Sequence, residues 1–118
     1  MPPTRLQDAA GTTYAEKNFK ATGSGAMSET ITIDKATKIL SIHLHLSSVG
    51  ATAENLSIYI DSDSGTAYDN VLITQDMNTL TDFFSNTEIH LFPGSDLDFT
   101  YTNTDASTWG LEVVFGDI

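Results

Sequence analysis

From Glu29 onward the hydrophobic positions recur every second residue, the period of a strand with one buried and one solvated face. Ile31 and Ile33 alternate with Thr30, Thr32 and Asp34, and Asp34-Lys35-Ala36-Thr37 reads as a turn. The clearest strand follows, with Leu40, Ile42, Leu44 and Leu46 on one face and Ser41, His43, His45 and Ser47 on the other. Leu56, Ile58 and Ile60 then alternate with Ser57, Tyr59 and Asp61, and a further strand runs through 71–75. Residues 77–86 are the least regular and read as a helical turn ending in Phe83-Phe84. Strands over 88–92 and 97–103 flank the Pro93-Gly94 turn, and 111–115 form the last strand. The alternation predicts a core of Leu40, Ile42, Leu44, Leu46, Leu56, Ile58, Ile60, Phe99, Val113 and Phe115. Seven to eight short strands, with a turn signal about every 10 residues, predict an all-β antiparallel β-sandwich or jelly-roll-like fold. The half-polar alternation excludes a parallel sheet covered by helices.

Residues 1–28 lack a sustained period, and Gly23-Ser24-Gly25 punctuates their end. They read as an extended N-terminal arm, with a short edge strand around 17–21, ahead of a sandwich domain over 29–118. Leu6, Tyr14 and Phe19 are its apolar anchors, and Arg5, Lys17 and Lys20 its cations. This set is the candidate partner-binding segment, able to pair with acids on a neighbour.

Charge sharpens that division. All five bases (Arg5, Lys17, Lys20, Lys35, Lys38) precede residue 39, alongside four acids, whereas residues 39–118 carry twelve acids and no base. The net charge of −11 opposes a nucleic-acid partner. Seventeen Thr and eleven Ser outnumber the charged residues, as suits solvated sheet faces. No apolar stretch is long enough to span a membrane as a helix, and Met1-Pro2-Pro3-Thr4-Arg5 leads into no signal-peptide core. Without cysteine, the 118-residue chain has neither disulfides nor thiolate chemistry.

Three constellations invite chemistry. His43-Leu44-His45 places two imidazoles on one strand face, about 7 Å apart, a spacing used by metal-binding barrels. A cupin needs a glutamate four or five residues later, where Val49 and Gly50 stand, and a second-motif histidine that Leu97, Asp98, Phe99 and Thr100 do not supply. His90 completes the histidines, and the reading here is that none binds a functional metal. Asp61, Asp63 and Asp69 could supply oxygens to calcium, yet Thr66 and Leu72 stand where an EF-hand needs glycine and glutamate. An Asp/Ser/Gly turn explains the same residues. Trp109, with Tyr59 or Tyr101, could stack on a sugar, although a single Trp before an apolar strand more often closes a core. No nucleophile elbow or phosphate-binding glycine loop is present, so the residues indicate neither an enzyme nor a cofactor.

The stretch 56–115 resembles a small family of β-sandwich virion proteins of tailed bacteriophages. The resemblance lies in Asp61-Ser62, Gly65-Thr66-Ala67-Tyr68-Asp69, Leu72, Gln75-Asp76-Met77, Pro93-Gly94-Ser95-Asp96, Asn103 and Thr108-Trp109-Gly110-Leu111. It implies turn roles for Gly65 and Gly94, core packing for Tyr68 and Trp109, a strand-end role for Asn103, and no catalytic residue. It further implies a capsid decoration or cement protein made in the host bacterial cytoplasm and carried on the outer surface of capsid or tail. Its partners would be the major capsid protein or neighbouring virion subunits, with homo-oligomers such as trimers, and no membrane or nucleic acid. The alternatives are a tail or baseplate accessory subunit, a carbohydrate-binding module and a degenerate cupin-like metalloprotein.

Overall fold

The structure is a computed structural model that describes residues 5–7, 13–62, 65, 67 and 69–117, with backbone alone for 5–7, 13–16 and 117. Ten strands are seen among them: β1 (Arg5–Gln7), β2 (Thr13–Gly23), β3 (Met27–Thr32), β4 (Thr37–Leu46), β5 (Asn55–Asp61), β6 (Asn70–Asp76), β7 (Asp82–Ser85), β8 (Ile89–Leu91), β9 (Asp96–Tyr101) and β10 (Trp109–Asp117). One sheet runs β1-β2-β10-β4-β7, with β8 pairing the other half of the same side of β4, and the second runs β3-β9-β5-β6. All these strand pairings are antiparallel. The chain is therefore an all-β sandwich, its strands in jelly-roll order. Ten strands fill eight jelly-roll positions because β7 and β8 share one and β1 adds an edge.

The two inner faces interdigitate to form the core. Ile39, Ile42, Leu44, Leu111 and Val113 come from the larger sheet, and Leu56, Ile58, Leu97 and Phe99 from the smaller. Period two places them, with one exception that corrects the sequence reading. Between Val114 and Phe115 the β10–β4 register slips, so Val114 lies opposite Ser41 but Phe115 opposite Ile39. Leu40 is the extra residue of a β-bulge, which inverts the parity of β4 on either side of it. Ile39, fully buried, takes the core place expected of Leu40, which is half-buried. Ile60 and Phe115 are likewise only partly buried against the core, toward its margins. Residues 77–86 hold no helical turn; 82–85 form β7, whose Phe83 sits opposite Leu44 and packs against the core.

The expected arm is corrected too. From Thr13 it is an eleven-residue strand hydrogen-bonded between β1 and β10, and the boundary at 28/29 falls inside β3. The physical reason is register: Phe19 and Ala21 lie opposite the buried Val113 and Leu111, so they extend the core face of β10. Both are partly buried against the core. Their period-two signal is short, and the polar residues of an exposed edge surround it.

The turn at Gly23-Ser24-Gly25 is held by residues some eighty positions away. Asn103, buried and at φ 54°, donates through its amide to the carbonyls of Gly25 (3.0 Å), Ser24 (3.3 Å) and Ser107 (2.9 Å). Its carbonyl accepts the Ser107 N–H at 3.1 Å. The Trp109 indole donates to the Gly25 carbonyl at 2.9 Å, and a Cβ on Gly23 would come within 2.8 Å of the ring. Gly23 thus carries no side chain because Trp109 covers it.

Two expectations follow. Leu44→Ala is expected to lower unfolding free energy by about 2–5 kcal/mol, and Leu40→Ala by distinctly less, in urea denaturation, since only the first leaves an enclosed cavity. Asn103→Ala is expected to cost about 1–3 kcal/mol by stranding buried backbone groups. Thr102→Ala, an exposed neighbour, serves as the near-neutral reference.

Candidate interaction surface

Outside the core, the chemistry-bearing side chains gather on the outer face of the larger sheet and along its two edges. The bulge sets this arrangement, because it turns His43 and His45 outward while Ile42 and Leu44 face the core. Register then lines up Lys20, Glu112, His43 and Phe84 across β2, β10, β4 and β7. Lys20 pairs with Glu112 at 3.4 Å in an exposed contact, and the rings of His43 and Phe84 meet edge-on with centroids 6.3 Å apart.

Both histidines converge on one carboxylate. His45 lies opposite Asp82, and its Nδ1 donates to Asp82 Oδ1 at 2.8 Å; Nε2 of His43 donates to the same oxygen at 3.1 Å. Thr81 donates to the other oxygen at 2.9 Å. An ionised carboxylate only accepts, so these bonds select the Nδ1–H form of His45 and the Nε2–H form of His43. The bonds from His45 first, then His43 and Thr81, hold the Asp82 carboxyl down at about 2. Asp82 was not singled out from the sequence: it lies 37 residues from His45, and only the β4–β7 register joins them. His90 stands opposite Lys38, about 15 Å along β4 from His43 at strand spacing, and stacks on Phe92 at 5.3 Å. Among the described residues no group of three or more His, Asp or Glu side chains is placed to hold a metal ion.

The remaining candidates are dispersed. Asp63 lies outside the described residues. Asp69 accepts the Ser62 N–H at 2.8 Å, and its charge is the main cause that raises the Asp61 carboxyl above its ordinary value. Trp109 and Tyr101 are buried, at 3% and 2% exposure, which corrects their reading as sugar-stacking platforms. Tyr59 stays half-buried opposite Asp98; burial and then the charges of Asp98, Asp61 and Asp69 raise its phenol.

Of the partner-binding set, Arg5 and Leu6 lie on β1, and Tyr14, Lys17, Phe19 and Lys20 on β2. The side chains of Arg5, Leu6 and Tyr14 are outside the described ones; Lys17 and Lys20 are exposed. Phe19 is corrected from a partner anchor to a residue packed against the chain's own core. At the opposite edge, where β6 of the smaller sheet faces β7 and β8, the sandwich opens into a groove of about 580 Å³ lined by Leu72, Ile73, Phe83 and Ile89. Val71 on β6, Phe84 on β7 and Phe92 after β8 are about two-thirds exposed (64%, 64% and 67%). The sequence signal for this groove is faint, because the apolar residues that rim it come from three separate segments.

No family model matches the chain, and no curated protein matches it. Among solved structures it is similar to Drosophila NLP-core, whose crystal structure is described as giving insight into pentamer formation and histone binding. The identity is 9% and the TM-score 0.49, over 85% of this chain and 96% of that one.

The Asp82 cluster makes a pH prediction. A carboxyl depressed from 3.8 to about 2 contributes stability that is fully present above pH 3.8 and is lost as pH falls through about 2. An NMR titration of the Asp82 carboxyl is expected to show that low midpoint, and the His43→Ala/His45→Ala double variant is expected to return it toward the ordinary aspartate range.

Proposed function

We propose that this chain is a non-enzymatic structural subunit of a bacteriophage particle, a decoration or cement protein on the outer surface of the capsid. It attaches through its β1–β2 edge to the major capsid protein or to neighbouring virion subunits. The observation that carries the reading is the division of charge. Three of the five bases, Arg5, Lys17 and Lys20, sit on β1 and β2, while residues 39–118 present twelve acids and no base. An acidic body suits a surface away from packaged nucleic acid, and a basic edge suits contact with an acidic neighbour. Jelly rolls serve viral capsids as well as lectins and cupins, so the fold is compatible with the reading without selecting it.

The resemblance over 56–115 supports the phage setting, and its residues have the structural places such a role needs. Asn103 and Trp109 pin the β2–β3 turn, and Gly94, at φ 93°, makes the turn before β9. The carbohydrate-binding alternative loses its stacking platform with Trp109 and Tyr101 buried. The cupin-like alternative loses its ligand geometry, since His43 and His45 hold Asp82 and His90 stands apart. A tail or baseplate subunit is the nearest variant of the same reading.

Immunogold labelling of purified particles of the encoding phage tests it, with mass spectrometry to establish presence. The expected result is label over the head and occupancy reduced about tenfold or more for Lys17→Glu/Lys20→Glu protein added back to particles lacking it. Absence from purified particles overturns the reading, label confined to the tail replaces the head assignment, and unchanged occupancy of the variant removes the β1–β2 edge as the attachment site.

A further inference from the structure

We propose that the groove between β6 and β7–β8 receives the β1–β2 edge of a second copy of this chain, in a head-to-tail contact. The two surfaces lie at opposite ends of one molecule. β1 closes one end of the larger sheet and β7 with β8 the other, and β6 is the edge of the smaller sheet beside them. Each carries backbone groups on its outer side that no strand among the described residues pairs, the usual template for strand addition.

Charge selects the occupant. Residues 69–92, which build the groove's strands, include Asp69, Asp76, Asp82 and Glu88 and no base. β1 and β2 together carry Arg5, Lys17 and Lys20 against Glu16 alone. In a chain of net charge −11, two copies repel in most orientations, and this one brings a locally positive edge to a negative one. The apolar content matches as well. Phe84 and Phe92, two-thirds exposed, offer on the order of 200–300 Å² of aromatic surface, about a third of what one side of a standard interface buries. Across from them the β1–β2 register sets Leu6 beside Tyr14.

Because the surfaces differ, the contact is heterologous and propagates from copy to copy until it closes a ring or extends a filament. This rests on the proposed function in one respect only: it assigns the neighbouring subunit to the chain itself. A chain that associates but is absent from particles refutes the particle reading; a chain found on particles but monomeric in solution refutes this inference.

The test is sedimentation velocity on the full chain at about 100 μM, a concentration suited to weak self-association. Wild-type protein is expected to form species larger than a monomer. Lys17→Glu/Lys20→Glu impairs the inserting edge and Phe84→Asp/Phe92→Asp impairs the groove. Each alone is expected to weaken association about tenfold or more while keeping the wild-type circular dichroism. Mixed one to one, they are expected to form a heterodimer and nothing larger, since one intact edge meets one intact groove. Should the groove variant unfold, Val71→Asp replaces it. A monomeric wild type, a lysine variant that associates like wild type, or a mixture that stays monomeric overturns the proposal.

Discussion

The structure depends on β10 being bonded along both sides. β10 pairs with β2 through nine registered positions, from Trp109 opposite Gly23 to Asp117 opposite Ala15, and with β4 from Trp109 opposite Leu46 to Asp117 opposite Thr37. The last strand of the chain therefore joins an early one to the centre of the sheet. Its inward residues Trp109, Leu111 and Val113 are all nearly excluded from water. A strand bonded on both sides leaves no backbone group to the core unsatisfied, which is what permits so apolar an inner face. Trp109 also turns the register into a lock, because its indole both covers Gly23 and bonds the Gly25 carbonyl.

A second close approach holds the other loops at that end. Gly50 donates to the Leu80 carbonyl and accepts from Thr79, and a Cβ there would lie 2.4 Å from the Met77 carbonyl oxygen. Asp105 caps the neighbouring loop by accepting the N–H groups of Ala51 and Thr52, and Glu54 accepts from Thr104. The acids there have local structural work as backbone acceptors. The acidic balance of the chain is thus partly a consequence of how its loops are tied, and partly a surface field that its sheet edges experience.

The outer face shows how one inserted residue creates a site. Without the bulge at Leu40, the parity that buries Ile42 and Leu44 would carry Ile39 to the solvent face. With it, Thr37, Ile39, Ile42, Leu44 and Leu46 are all buried along a single strand, and His43 and His45 stand beside Asp82 on the other face. The exposed aromatic residues of the opposite edge lie beyond that cluster. The molecule has a different chemical character at each end of its larger sheet.

By itself the sequence determined the all-β class, the sandwich, and most of the core, because alternation at period two is a local property that burial of one face imposes. Leu44, Leu56, Ile58 and Phe99 were legible for that reason, and His43 and His45 were legible as sharing the polar face. Tertiary structure decided what depends on pairing across distance. Ile39 replaced Leu40 because a bulge is a mismatch between two strands, which neither strand shows alone. Residues 13–23 became a sheet strand because β10, some ninety residues later, supplies their hydrogen bonds. Asp82 joined the histidines, and the groove acquired its walls, through the β4–β7 register and the approach of β6. Side-chain period is written in neighbours along the chain, whereas register, bulges and edges are properties of partners that only the folded chain brings together.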